Sequence, residues 1–115
     1  MRASKIQSHF ERSSAAVVET YETILREARR FGKVREEPKK TSIHLARRTA
    51  FAGVAVQRAA LILTVKSDGD IKSTRVRKRE QVSATRWHIE VKLTTPAEVD
   101  SQVRGWLQRA YSLAG

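Results

Sequence analysis

KKTSIHLARRTAFAGVAV, residues 39–56, is the stretch on which the fold of this chain turns. Ile43 and Leu45 alternate with Ser42 and His44, the period-2 pattern of a strand buried on one face. A second apolar run, Ala50 to Val56, follows after Arg47-Arg48-Thr49. Phe51, Gly53 and Ala55 fall on one side of that run and Ala52, Val54 and Val56 on the other, so it is expected to be buried on much of both faces. Gly53 marks a bulge or a close backbone approach. Arg47 and Arg48, at the strand connection, read either as a solvated turn or as phosphate contacts.

Outward toward the C-terminus, Gln57-Arg58 is short enough for a hairpin turn, and Ala59 to Val65 continues an antiparallel meander. Ser67-Asp68-Gly69-Asp70 is the clearest turn in the chain. Ile71 to Ser83 carries Lys72, Arg75, Arg77, Lys78 and Arg79 against Glu80 alone. Too little apolar content remains for a central strand, so an exposed connection or an edge strand around Val76 and Val82 is expected. Trp87, Ile89, Val91 and Leu93 then alternate with His88, Glu90 and Lys92, the cleanest strand pattern here. Thr95-Pro96-Ala97-Glu98 sets N-cap, N1 proline and N3 glutamate in order for a last helix, whose apolar face is Val99, Val103, Trp106, Leu107 and Ala110, with Tyr111 beside them.

Outward toward the N-terminus, Pro38 suits an edge strand begun near Lys33, because proline cannot donate to a ladder. Before it, Val17, Val18, Tyr21, Ile24, Leu25 and Ala28 recur at helical spacing. Ser13 or Ser14 caps this helix, and Gly32 ends it after Arg29 and Arg30. Residues 1–8 are expected to be flexible, with Ile6 or Phe10 able to pack back on the core. The fold class is therefore α+β, a single domain over residues 1–115: one antiparallel sheet of about five strands, flanked by an N-terminal and a C-terminal helix on one face.

The resemblance lies in Phe10, Pro38-Lys39-Lys40-Thr41, Phe51-Ala52, Thr95-Pro96 with Val99-Asp100, Trp106-Leu107 and Ala110-Tyr111. Together these resemble a bacterial family of domains of unknown function, number five-six-five-five in that series, over nearly the whole chain from Phe10 to Ala114. The resemblance implies a stand-alone or C-terminal bacterial module. It transfers no activity, although labels on some longer relatives hint at transport or nucleases.

Composition narrows the partners. Lysine and arginine total 23 against 12 acids, a formal charge of +11, and such a field concentrates polyanions at the surface. With no cysteine, disulfides and thiolate chemistry are excluded, which fits a reducing cytoplasm. No run approaches the roughly 18 apolar residues of a membrane span, so no membrane partner is expected. His9, His44 and His88 sit on different elements without the spacing of a helical metal site, so no metal, cofactor or catalysis is expected. Glu90-Val91-Lys92, with Asp68 or Asp70 upstream, matches an acid plus E-x-K nuclease pattern, a remote alternative that any polar strand face produces cheaply.

Lys39, Lys40, Arg47 and Arg48 come from one region, and Arg75, Arg77, Lys78, Arg79 and Arg86 from another that a sheet can bring near. These nine are the candidate nucleic-acid-binding residues, contacting phosphates rather than reading sequence. Phe51, Trp87 and Trp106 occupy core-like positions, so base stacking on exposed aromatics is disfavoured. The alternative from another class is a protein-interaction module or homodimer, built on the Pro38 edge or on Trp106 and Tyr111.

Overall fold

The computed structural model describes residues 4–115. The expected flexible start lies outside the described residues for positions 1–3. From Ser4 the chain forms a short helix, α1 (Ser4–Ser8), and Ile6 is buried. Helix α2 (Ala15–Arg29) begins at Ser14, whose hydroxyl accepts from the Val17 amide at 3.4 Å, and it buries Val17, Tyr21, Ile24, Leu25 and Ala28. Beyond its end, Gly32 has φ +152°, a conformation that L side chains rarely adopt, and a Cβ there would collide with the Tyr111 hydroxyl.

The strands are β1 (Arg35–Pro38), β2 (Ile43–Ala46), β3 (Ala50–Val56), β4 (Leu61–Ser67), β5 (Val76–Ser83) and β6 (Arg86–Leu93). All neighbours pair antiparallel in one six-stranded sheet of order β1-β2-β3-β4-β6-β5. A plain meander would have placed β5 between β4 and β6. Instead segment 68–75 crosses over β6 on the helix side, with Ile71 packed against the core. The reason is solvation: β6 places Ile89, Val91 and Leu93 in the core, whereas no residue of β5 is fully buried, and a strand so charged is stable only at an edge.

Helix α3 (Ser101–Leu113) lies with α2 on the same face of the sheet. Its start differs from the expectation. The Thr95-Pro96-Ala97-Glu98 box holds a 3₁₀ turn over Pro96–Glu98, and the α-helix begins afterwards, with the Asp100 carboxylate accepting from the Val103 amide at 3.2 Å. The glutamate side chain folds back on the amides and hydroxyl just before the turn, so the box caps that single turn and the chain re-enters helix at a second cap.

Register explains which side chains meet the helices. Ile43, Val54, Leu63 and Val91 form one row across the sheet, all at 1 % exposure or less. Phe51 departs from the expected alternation with Gly53. Ala46 pairs with Ala50 and Leu45 with Ala52, so Phe51 is the extra residue of a bulge and turns into the core, edge-on to Tyr111 at 5.3 Å. Gly53 itself pairs regularly with His44 and Thr64. Trp87 and Trp106 are only partly buried, packed against the rim of the core rather than within it. Their positions lie at a strand end and a helix flank, where one side of a large ring stays wet.

Candidate functional site

The second face of the sheet carries no helix. Its central row, fixed by strand pairing, reads His44, Gly53, Thr64, Glu90, Lys78 from β2 to β5. One row toward one end lie Lys66, His88 and Glu80; toward the other lie Ala55, Ile62 and Lys92. The turns frame this face. Lys39, Lys40 and Arg58 stand at the end where β1 meets β2 and β3 meets β4, and Arg48 and Arg86 at the opposite end.

The nine candidate cations do not coalesce into one patch. Strands β2 and β5 are separated by β3, β4 and β6, four interstrand steps or about 19 Å. Lys39-Lys40 and Arg47-Arg48 also lie at opposite ends of β2. Several of the nine are engaged within the fold. Arg75 donates to both Asp100 oxygens at 2.9 Å, to the Glu98 carbonyl at 2.7 Å and to Gln102, with its guanidinium 6.0 Å from the Trp106 ring centre. It ties the crossover segment to the start of α3. Arg79 donates to Asp70 at 2.8 Å and to the Ile71 carbonyl at 3.1 Å, holding the other part of that segment. Arg47 stacks on the Tyr111 ring at 4.5 Å and donates to the Tyr111 carbonyl at 3.2 Å. The Arg86 guanidinium donates to its neighbouring Thr85 carbonyl at 2.8 Å and lies near enough to Asp68 to help lower its carboxyl pKa.

Most of the carboxylates held in ion pairs lie on the helix side. Glu27 takes Arg30 and Arg104, Glu36 takes Arg29, Asp68 takes Arg109, Asp70 takes Arg79 and Asp100 takes Arg75; Arg35–Glu37 at the β1 edge is the one pair found away from it among the described residues. Hydrogen bonding lowers the carboxyl pKa of three acids there. Asp68 is held down chiefly by the Arg109 guanidinium, Glu98 by the Thr94 amide and hydroxyl, and Asp100 by the Val103 amide and then Arg75. Among the described residues, Lys39, Lys40, Arg48, Lys66, Arg77, Lys78 and Lys92 have no carboxylate within 4.0 Å.

Lys66 and Lys92 stand outside the nine candidates, Lys92 entering the sequence analysis only as the polar face of its strand and in the E-x-K pattern. The signal is present in the residues, since both fall on the polar parity of strands whose other parity is apolar, and β4 extends past Val65, where its apolar run ends, to include Lys66. Glu90 and Lys92 do share the open face, as their spacing requires. Asp68 and Asp70, however, lie beyond the end of β4, at least four residues or about 13 Å along the chain from Thr64, the partner of Glu90, and each is held by an arginine. No three His, Asp or Glu side chains among the described residues are grouped to hold a metal ion. No helix among them is long and apolar enough to cross a membrane.

These features define a class: a small antiparallel α+β domain with one sheet face sealed by helices and the other open and polar. The chain belongs to the family described as domain of unknown function DUF5655, whose profile matches residues 6–114. No curated protein and no solved structure matches it.

Proposed function

We propose that this domain binds a polyanion, nucleic acid before others, through the open face of its sheet and the turns that frame it, in the cytoplasm and without catalysis. The observation that carries the reading is the unequal pairing of charge. Most ion pairs lie on the helix side, while among the described residues Lys39, Lys40, Arg48, Lys66, Arg77, Lys78 and Lys92, on the open face and its turns, have no carboxylate within 4.0 Å. A net charge of +11 is thereby expressed mainly on one side of the molecule. Glu80 and Glu90 share that side, so the contact is with a spaced row of phosphates along the rim rather than with a uniform positive plate.

The cations available to such a partner are Lys39, Lys40, Arg48, Lys66, Arg77, Lys78, Arg86 and Lys92. Arg47, Arg75 and Arg79 act first as parts of the fold. Fluorescence anisotropy with duplex DNA, single-stranded DNA and RNA, at about 50 and 200 mM salt, tests this reading. Affinity should fall log-linearly with salt. Absence of binding at the lower salt would overturn it. The rival reading, a protein-pairing module expected at the Pro38 edge or at Trp106 and Tyr111, finds Tyr111 buried and its exposed large apolar side chain instead at Val82, 48 % exposed on the β5 edge. Two register shifts break that edge, which opposes continuous strand addition. Salt-insensitive self-association in sedimentation would favour it.

A further inference from the structure

We propose that the shallow cleft over Gly53, at the centre of the open face, seats one unstacked base of a single-stranded nucleic acid. This rests on the polyanion reading above and deepens it from phosphate contact to base contact. The cleft has a volume of about 250 Å³, with Gly53 and Ala55 as its floor, His44 and Thr64 as walls, and Lys66 and His88 at its rim.

The cleft exists because of one missing side chain. His44 and Thr64 are the direct register partners of residue 53 on either side, and in an ordinary sheet a side chain would fill the gap between them. Glycine leaves the peptide plane bare. A flat ring can lie on it at van der Waals distance, a close backbone approach that explains a glycine in the interior of a regular strand. The His44 imidazole flanks such a ring on one side and the Thr64 hydroxyl supplies a hydrogen-bonding edge on the other. Base contact here comes from imidazole and backbone, so it needs no exposed Phe, Tyr or Trp.

Size and charge narrow the occupant. The volume lies just below the roughly 300 Å³ at which drug-sized pockets begin, enough for a single ring system. A base stacked and paired inside a duplex cannot reach the floor of such a cleft. Lys66 lies two residues from Thr64 along β4, about 7 Å, a span that one sugar bridges. It is half-buried with no carboxylate within 4.0 Å among the described residues, an arrangement that favours an anion beside it. In register with Gly53, Glu37 lies two strands away beyond His44, where it pairs with Arg35, and the acid at the same remove on the other side is Glu90, beyond Thr64 and opposite Lys78. Glu90 repels a phosphate on that side, so the backbone runs past Lys66 toward the Arg48 and Arg86 turns.

The test uses Gly53→Val and Gly53→Ala. A Cβ at position 53 meets the His44 ring carbon Cδ2 at an ordinary 3.6 Å, so Gly53→Ala fits the fold, and Gly53→Val adds two methyls to occupy more of the cleft. Short oligothymidylate and a mixed-sequence DNA duplex of equal length are the probes, with circular dichroism checking each variant's fold. The parent should bind the single strand more tightly than the duplex. Gly53→Val should weaken the single strand about tenfold and leave the duplex unchanged, with Gly53→Ala between them. In amide NMR the single strand should shift the Gly53 and Thr64 signals of the parent. Single-strand affinity within twofold of the parent in a folded Gly53→Val, or equal loss for both probes, would overturn the cleft while leaving the phosphate reading standing. Failure of the parent to bind either probe at low salt would overturn both.

Discussion

The two faces of the sheet come from the same strands, one residue out of step, and differ in almost everything else. On the covered face Leu45, Leu63, Val65, Ile89 and Leu93 are at 1 % exposure or less, and the helices above them are tied to each other by Arg104–Glu27 and to the crossover segment by Arg75–Asp100 and Arg109–Asp68. On the open face His44, Gly53, Thr64, Lys66 and Glu90 are half-buried, and His88 and Lys92 are exposed. Burial of the first face is what opposes chain entropy. The second adds little to folding and is free to carry contacts. Stability and recognition should therefore respond to different mutations, a separation that can be broken or sharpened by experiment.

The largest effect should come from Tyr111→Ala on the covered side. Its ring meets Phe31 at 5.9 Å and Phe51 at 5.3 Å, supports Arg47, and its hydroxyl donates to the Lys33 carbonyl at 3.0 Å. Loss of about 3–5 kcal/mol in urea unfolding is expected; a loss under about 1 kcal/mol would mean that the aromatic cluster is not a core. Trp106→Ala should cost less, about 1–2 kcal/mol, because part of the ring is already in water. From sequence alone the same tryptophan reads as core. A loss equal to that of Tyr111→Ala would restore that reading.

Acid should weaken the covered side selectively. The carboxyls of Asp68, Glu98 and Asp100 are depressed in the folded state, so their contribution is present above the ordinary values of 3.8, 4.5 and 3.8 and is lost as pH falls through the lowered ones. Glu98→Gln should lower stability at neutral pH and flatten the acid limb of urea midpoints measured below pH 4.5. An unchanged limb would show that the bonds from Thr94 and Thr95 do not hold the carboxylate. The smallest stability effect belongs to the open side. Arg77→Ala with Lys78→Ala should leave the urea midpoint within about 0.5 kcal/mol of the parent, yet reduce the log–log salt slope for duplex DNA by about 1.8 if both contact phosphate. A stability loss without a slope change would reverse the assignment of faces.

Much of this architecture was legible in the residues. The alternation around Ile43 and Leu45, the cap at Ser14 and the edge character of Val76–Ser83 all rest on interactions within a few positions, or on the solvation of one strand, and sequence carries both. Phe51 was not legible, because a bulge displaces parity by one residue and only the partner strand reveals it. The candidate site was legible only in part. Its residue types were evident, but Arg47, Arg75 and Arg79 look like Arg48 or Arg77 until Tyr111, Asp100 and Asp70 arrive beside them.

The amino-acid sequence by itself determined that this chain is a basic α+β domain with helices at both ends and a charged strand that cannot be central, since composition and periodicity set what each segment can bury. Tertiary structure decided the rest: the crossover that inserts β6 between β4 and β5, the choice of which cations are tied into the fold, and the opening above Gly53. Each of these depends on which distant residues become neighbours, and the local sequence does not encode that until the sheet has closed its register.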